Sequence, residues 1–213
     1  MMFHELLFNE SIKSRFAVSL VGNVVRGGAL LLTGMLLARG LGPGDYGNLM
    51  FLLASFMALW GLITMGSADA FFTFASQKAR PRQFYLCYFC WQLFQLILGV
   101  LLLGLILPDR VLDRVWIGQN RSTILLAFLA SFMSVQVWTT IRNIGEAWRK
   151  TVLVHLMINS TLLAHLVAIV IAMALNWLSI HVVLIMIILE YVLVAVWAYH
   201  VLKKKRLILE VGG

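Results

Sequence analysis

The chain has 213 residues, of which 62% are hydrophobic and 12% charged, and its formal net charge is +8. A soluble domain carries about twice that charged fraction, so the composition excludes an ordinary soluble globular fold. A bilayer tolerates so much apolar surface, and a helical span needs roughly 20 apolar residues. The sequence therefore predicts a membrane protein.

Six apolar runs of membrane length follow one another along the chain. Spanning strands alternate apolar and polar residues, which these runs do not, so helices are predicted. The predicted spans are 17–38, 49–66, 84–107, 123–140, 152–175 and 179–201. We expect residues 1–213 to form a single transmembrane domain, an all-α polytopic bundle of six transmembrane helices.

A glycine-rich segment, residues 38–47, lies between the first two runs and reads Ala-Arg-Gly-Leu-Gly-Pro-Gly-Asp-Tyr-Gly. Gly42, Gly44 and Gly47 permit backbone angles that other residues avoid, and the ring of Pro43 fixes its own φ. These residues predict a tight turn between the first two spans.

The sequence motif of this turn, A-R-x-L-G-P-x-x-Y-G, resembles that of the polysaccharide (O-antigen, Wzx-type) flippase family of the MATE-like exporter superfamily. The residues that carry the pattern are Arg39, Gly42, Pro43, Tyr46 and Gly47. Gly22-Asn23 and the segment 65–68 extend the resemblance over about the first eighty residues. Beyond them it depends on the number and spacing of the spans alone.

The resemblance implies one lobe of a two-lobe, MATE-like fold in the inner membrane of a bacterial or archaeal cell. It implies a transporter that flips a polyprenyl-diphosphate-linked oligosaccharide for cell-surface polysaccharide biosynthesis, including lipopolysaccharide O-antigen. Members of that family have about twice as many spans. We therefore expect this chain to be a truncated half, or to work with a second lobe or a homodimer partner.

Two other classes of membrane protein stay open: a six-helix substrate-binding subunit of a small-molecule transporter, and a structural membrane subunit. An enzyme is not expected, because the chain has no H-E-x-x-H pair, P-loop or intramembrane G-x-S-G motif. Cys87 and Cys90 form a single C-x-x-C pair, whereas zinc needs four ligands. We expect both cysteines to be buried small side chains, with no metal and no cofactor.

The loop charges predict the orientation in the membrane. Twelve Lys and Arg residues lie in the two terminal segments and in the loops after the second and fourth runs, against four in the other loops. Basic residues stay on the cytoplasmic side, so both termini are predicted to be cytoplasmic. Topology accounts for most of the net charge, so the lipid bilayer is the expected partner and nucleic acid is not.

Three ionisable residues fall near mid-depth of the predicted spans: Arg26, His165 and Glu190. Each costs roughly 2.5–3.5 kcal/mol at the centre of a spanning helix, so a function is expected. The planar fork of Arg26 suits the diphosphate of a lipid-linked substrate. Glu190 and His165 are predicted to couple transport to a proton or cation. The alternatives are a structural Arg26–Glu190 ion pair and a hydrogen-bonded structural histidine.

Polar side chains recur at helical spacing within the spans. The stripes comprise Ser19, Asn23, Arg26 and Thr33 in the first span, Gln92 and Gln95 in the third, Gln136, Thr140 and Asn143 in the fourth, and His155 and Asn159 in the fifth. Lipid tails offer amides no hydrogen-bonding partner, so these stripes are predicted to face inward. Asn23, Gln92 and Gln136 are predicted to contact substrate, and hydrogen bonding between helices is the alternative.

Overall fold

The computed structural model describes the backbone of residues 12–211 and the side chains of residues 19–201. In this part every regular element is a helix. The α-helices are α1 (Ile12–Ile63), α2 (Ser67–Gln77), α3 (Arg82–Leu101), α4 (Asp109–Val115), α5 (Arg121–Ser131), α6 (Trp138–Ala147), α7 (Thr151–Ala174) and α8 (Ile180–Val211). Two π-helical turns, Leu102–Ile106 and Phe132–Val137, extend α3 and join α5 to α6.

Five helical stretches are long and apolar enough to cross a membrane. They are Ser19–Ile63, Arg82–Ile106, Arg121–Ala147, Thr151–Ala174 and Ile180–Val201. The last four correspond to the predicted spans, with the largest difference at the end of the fourth. The first two predicted spans lie within one stretch of 45 residues. The fold is thus that of an all-α polytopic membrane protein.

The long helix α1 is broken at Gly42, where φ is 78° and ψ is 166°. Essentially only glycine adopts this conformation, and Pro43 follows it. The Oη atom of Tyr46 lies 3.5 Å from the position of a Cβ on Gly34. In a straight helix these two residues would be about 18 Å apart, so the chain bends back sharply at Gly42.

This turn differs in one respect from the prediction, which assigned special backbone angles to three glycines. Gly44 and Gly47 are helical, and only Gly42 within residues 38–47 has a positive φ. One residue in a conformation that favours glycine is enough, because Pro43 has the φ of a first helical residue and can restart the helix.

Helix α1 packs along α7. Near one end the Ser19 Oγ and His155 Nε2 atoms are 3.0 Å apart, and near the other a Cβ on Gly40 would lie 3.2 Å from Met173. The two contacts occur in the same chain order in both helices. The first part of α1 and α7 therefore run parallel.

The core between the second part of α1 and α5 is aromatic. Phe56 stacks on Trp116 at 5.1 Å between ring centroids, and Trp60 stacks on Phe128 at 5.2 Å. Phe128 and Phe132 meet Phe56 and Trp60 edge to face. Lipid tails are as apolar as these rings, so close packing holds the helices together more than the hydrophobic effect does.

Arg121 closes the π-helical end of α3. Its guanidinium donates to the carbonyl oxygens of Gly104 (2.6 Å) and Leu107 (2.8 Å) and to the Asp109 carboxylate (2.7 Å). The last carbonyls of a helix have no partner within it. Here one side chain satisfies three of them, because Arg121 also donates to the Leu103 carbonyl at 3.3 Å. Arg121 lies between the predicted spans 84–107 and 123–140, where the sequence predicts only a loop. In the structure it holds the start of α5 against the end of α3.

Cys87 and Cys90 are exposed, so the prediction that they are buried is wrong. Helix α3 instead buries Gln92 and Gln95. In a bilayer the rule for soluble cores is reversed, because polar groups need protein partners while small apolar side chains can face lipid. Among the described residues, no group of three or more His, Cys, Asp or Glu side chains could hold a metal ion.

Candidate functional site

A half-buried acid–imidazole pair joins α7 to α8. The Nδ1 atom of His165 lies 2.8 Å from Oε2 and 3.0 Å from Oε1 of Glu190, and the side chains are 12% and 15% exposed. The short connection between these helices makes them antiparallel neighbours. His165 precedes the end of α7 and Glu190 follows the start of α8 by about 14–15 Å of helix, so the residues meet at one depth.

This pair can hold a proton without leaving a net charge in hydrocarbon. With one titratable proton it is either imidazolium with carboxylate or imidazole with carboxylic acid, and both forms are neutral overall. Gain or loss of a proton changes the charge of a group that is shielded from water. Ion coupling requires such a change of charge.

Arg26 lies on the exposed face of α1, as does Asn23 one turn earlier. Helix α1, which carries Arg26, contacts both α7 and α8, the helices that carry His165 and Glu190. Within residues 19–201 the structure gives Arg26 no ion pair or hydrogen bond. Glu190 pairs with His165 instead, which differs from the alternative of a structural Arg26–Glu190 pair.

Gln92 and Gln136 lie in the interface between α3 and the helix formed by α5 and α6. The Nε2 atom of Gln92 donates to Thr140 Oγ1 at 2.6 Å, and the Thr140 hydroxyl donates to the Gln136 carbonyl at 2.9 Å. All three residues are buried. Gln92 thus makes an interhelical hydrogen bond, the alternative that the sequence left open. The predicted substrate contacts fall into two sets, with Arg26 and Asn23 apart on α1.

The Gly22-Asn23 motif meets α7 at a second polar contact. A Cβ on Gly22 would lie 2.8 Å from Nδ2 of Asn159, so only glycine lets the helices approach this closely. The Oδ1 atom of Asn159 is buried with no hydrogen-bond partner among the described residues. His155 meets Ser19 one turn away. The stripe of His155 and Asn159 was visible in the sequence, but its partner helix was not.

The motif residues of the turn between the two parts of α1 differ in exposure. Arg39 and Pro43 are exposed, while Tyr46 is half-buried and packs against Gly34. Two surface depressions occur elsewhere: one between α7 and α8 around Ala172 and Trp177, the other along α4 around Arg110. Neither depression includes a predicted substrate-binding or ion-coupling residue.

Comparison with known proteins gives no match to a protein-family model, a curated protein or a solved structure. The class defined by the fold and the site is a helical, membrane-embedded protein with a half-buried His–Glu pair and an arginine on an open helix face. The resemblance carried by residues 38–47 remains a prediction.

Proposed function

We propose that the chain is a membrane transporter that flips a polyprenyl-diphosphate-linked oligosaccharide, working as one six-helix lobe of a MATE-like assembly. The observation that supports this function most is the position of Arg26. Arg26 is a cation on an open face of α1, and α1 contacts both helices of the half-buried His165–Glu190 pair, so one bundle carries an anion-binding group and a proton-binding group.

Six crossings are proposed because the break at Gly42 divides the first stretch into two parts of membrane length. As helices, residues 19–41 and 43–63 would be about 35 Å and about 32 Å long, against a hydrocarbon core of about 30 Å. Unbroken, the 45 residues would reach about 68 Å, more than twice that thickness. Two crossings also agree with the sharp bend that brings Tyr46 to Gly34.

Each residue then has a distinct role. The fork of Arg26 binds diphosphate oxygens, and the Asn23 amide, one turn away, hydrogen-bonds substrate oxygen. The His165–Glu190 pair exchanges a proton during the transport cycle. The open face of α1 also carries Val24 (70% exposed) and Leu31 (62% exposed), and a second lobe or a second copy covers it in the working assembly.

A structural membrane subunit is the second candidate. The interhelical bonds of Gln92 to Thr140 and of Asn143 to the Ala68 carbonyl favour it, because polar groups used in this way hold helices together. In that case Arg26 would contact lipid phosphate or a protein partner, and the His165–Glu190 pair would only link α7 to α8.

Binding of a short-chain polyprenyl diphosphate to the purified chain in nanodiscs separates the two candidates. We expect saturable binding that Arg26→Gln weakens strongly. The matched control, Arg110→Gln, removes an exposed arginine from α4 and should bind like the wild type. Equal binding by all three proteins, or none, would reject the transporter and favour the structural subunit.

A further inference from the structure

Two connections of the bundle meet where α3 and α7 begin. The indole Nε1 of Trp148 donates to the Tyr85 hydroxyl at 3.4 Å, and the two rings are 6.3 Å apart. Tyr85 belongs to the first turn of α3, and Trp148 lies just before α7. The loop that precedes α3 therefore lies beside the loop that precedes α7.

Six basic residues occupy this end of the bundle, and we call them the basic rim. They are Lys78, Arg80, Arg82, Arg142, Arg149 and Lys150. Among the residues whose side chains the structure describes, the neighbouring helices α2 and α6 contribute two acidic ones, Asp69 and Glu146, against the six basic ones. A surface of this charge attracts anions.

One guanidinium of the basic rim is held in place. Arg80 Nε donates to the Phe74 carbonyl at 2.9 Å. Its guanidinium carbon lies 5.5 Å from the Phe74 ring centroid and 5.6 Å from that of Phe84. These contacts use one nitrogen and a planar face, and they leave the two terminal nitrogens for a ligand.

A cluster of aromatic rings packs next to the basic rim. Phe71 stacks on Phe84 at 5.3 Å and on Tyr88 at 4.0 Å, and Tyr85 and Trp148 continue the cluster. Aromatic side chains with a polar tip concentrate at the level of lipid headgroups. The cluster therefore places the basic rim at the depth of the lipid phosphates.

We propose that the basic rim binds the headgroup of an anionic phospholipid of the surrounding bilayer, with Arg80 contacting the phosphate. The planar fork matches two phosphate oxygens, and the neighbouring cations supply attraction that falls off within a Debye length. Basic pockets beside spanning helices bind anionic headgroups in this way. The inference does not depend on what the chain transports.

The test measures lipid retention by the full-length chain purified in mild detergent. The protein is titrated with phosphatidylglycerol, with phosphatidylcholine or with inorganic phosphate, and bound lipid is counted by native mass spectrometry. We expect phosphatidylglycerol to bind tightest and Arg80→Gln to weaken it about fivefold, the effect of one basic residue near a charged surface. Arg80→Lys should fall between, because it keeps the charge and loses the fork.

Two further variants keep the result decisive. Arg114→Gln removes an exposed arginine from α4, at the other end of the bundle, and should bind like the wild type. Phe84→Leu keeps every charge but removes one ring from beneath Arg80, and should weaken binding even if Arg80→Gln does not fold. The proposal fails if Arg114→Gln weakens binding as much as Arg80→Gln, if Phe84→Leu binds normally, or if phosphatidylcholine binds equally. It also fails if millimolar phosphate displaces the lipid, which would identify free phosphate as the ligand.

Discussion

The ring of Phe128 on α5 fills the space that a Cβ atom on Gly99 of α3 would need. The ring also stacks on Trp60, so it cannot move aside without disturbing the aromatic core. We expect Gly99→Ala to destabilise the fold by about 1–3 kcal/mol, the usual cost of overpacking. Thermal unfolding in detergent measures it.

Two controls accompany this substitution. Gly28→Ala places the same methyl group where nothing lies within 4 Å, and should leave the unfolding temperature unchanged or raise it slightly, because alanine favours a helix over glycine. Combining Gly99→Ala with Phe128→Leu should restore part of the lost stability, because the smaller side chain frees the space. Equal effects of Gly99→Ala and Gly28→Ala would show that the two helices are not packed this closely.

The His165–Glu190 pair predicts a proton-dependent transport step. Glu190→Gln keeps the shape and removes the titratable carboxyl, so substrate counterflow in vesicles should lose its dependence on an imposed pH gradient. His181→Gln is the matched control, because this histidine is hydrogen-bonded to Thr123 and is exposed. Retention of the full pH dependence in Glu190→Gln would exclude the pair from coupling.

The side chain at position 26 should determine how well the transporter works. In a flippase-deficient strain, complementation by the complete transporter should decrease from Arg to Lys to Gln, because Lys keeps only the charge. Changing Glu190→Gln as well should not rescue Arg26→Gln, since Glu190 is paired with His165. Rescue, or full complementation by Arg26→Gln, would remove Arg26 from substrate binding.

The excess of basic residues predicts the orientation. A reporter fused at Gly118, just after α4, should report outside, and one fused at Arg206 should report the cytoplasm. If a reporter at the N-terminus is cytoplasmic, an outside signal at Arg206 would mean an odd number of crossings. That result would contradict six spans and would mean that the bend at Gly42 does not return the chain across the membrane.

The open face of α1 predicts a partner. With Cys87 and Cys90 replaced by Ala, Val24→Cys should crosslink into a larger species in native membranes, because its side chain is 70% exposed. Leu49→Cys, whose side chain is fully buried, is the control and should not crosslink. If both variants run only as monomers, this face contacts lipid alone.

The course of the helices could be predicted from the sequence, and their rotation about their own axes could not. The predicted span 152–175 and the helix Thr151–Ala174 differ by one residue at each end, because hydrophobic length fixes the ends of a span. Which face turns inward depends on neighbouring helices that are distant in the sequence. The exposed Cys87 and Cys90 illustrate this limit.

The same limit applied to the site. The position of Arg26, His165 and Glu190 within their predicted spans put all three at one depth in the membrane. It did not show which two of them would be in contact. Antiparallel α7 and α8 share a short connection, which decides in favour of His165 and Glu190. The bond of Gln92 to Thr140 depends on the approach of α3 to α6, which no local pattern encodes. The role of Arg121 depends on a π-helical turn that the sequence did not predict.

The packing of α1 on α7 joins two helices that are made at different times during synthesis. Ser19 and His155, which join these helices, are 136 residues apart in the chain. At about 5–20 residues per second, a ribosome needs roughly 7–27 s to cover that distance. During this interval α1 lies in the bilayer with Ser19 and Gly22 lacking their partner helix. A chain that stalls before α7 therefore keeps an unmatched polar face on α1, and this face finds its partner only when α7 has been made.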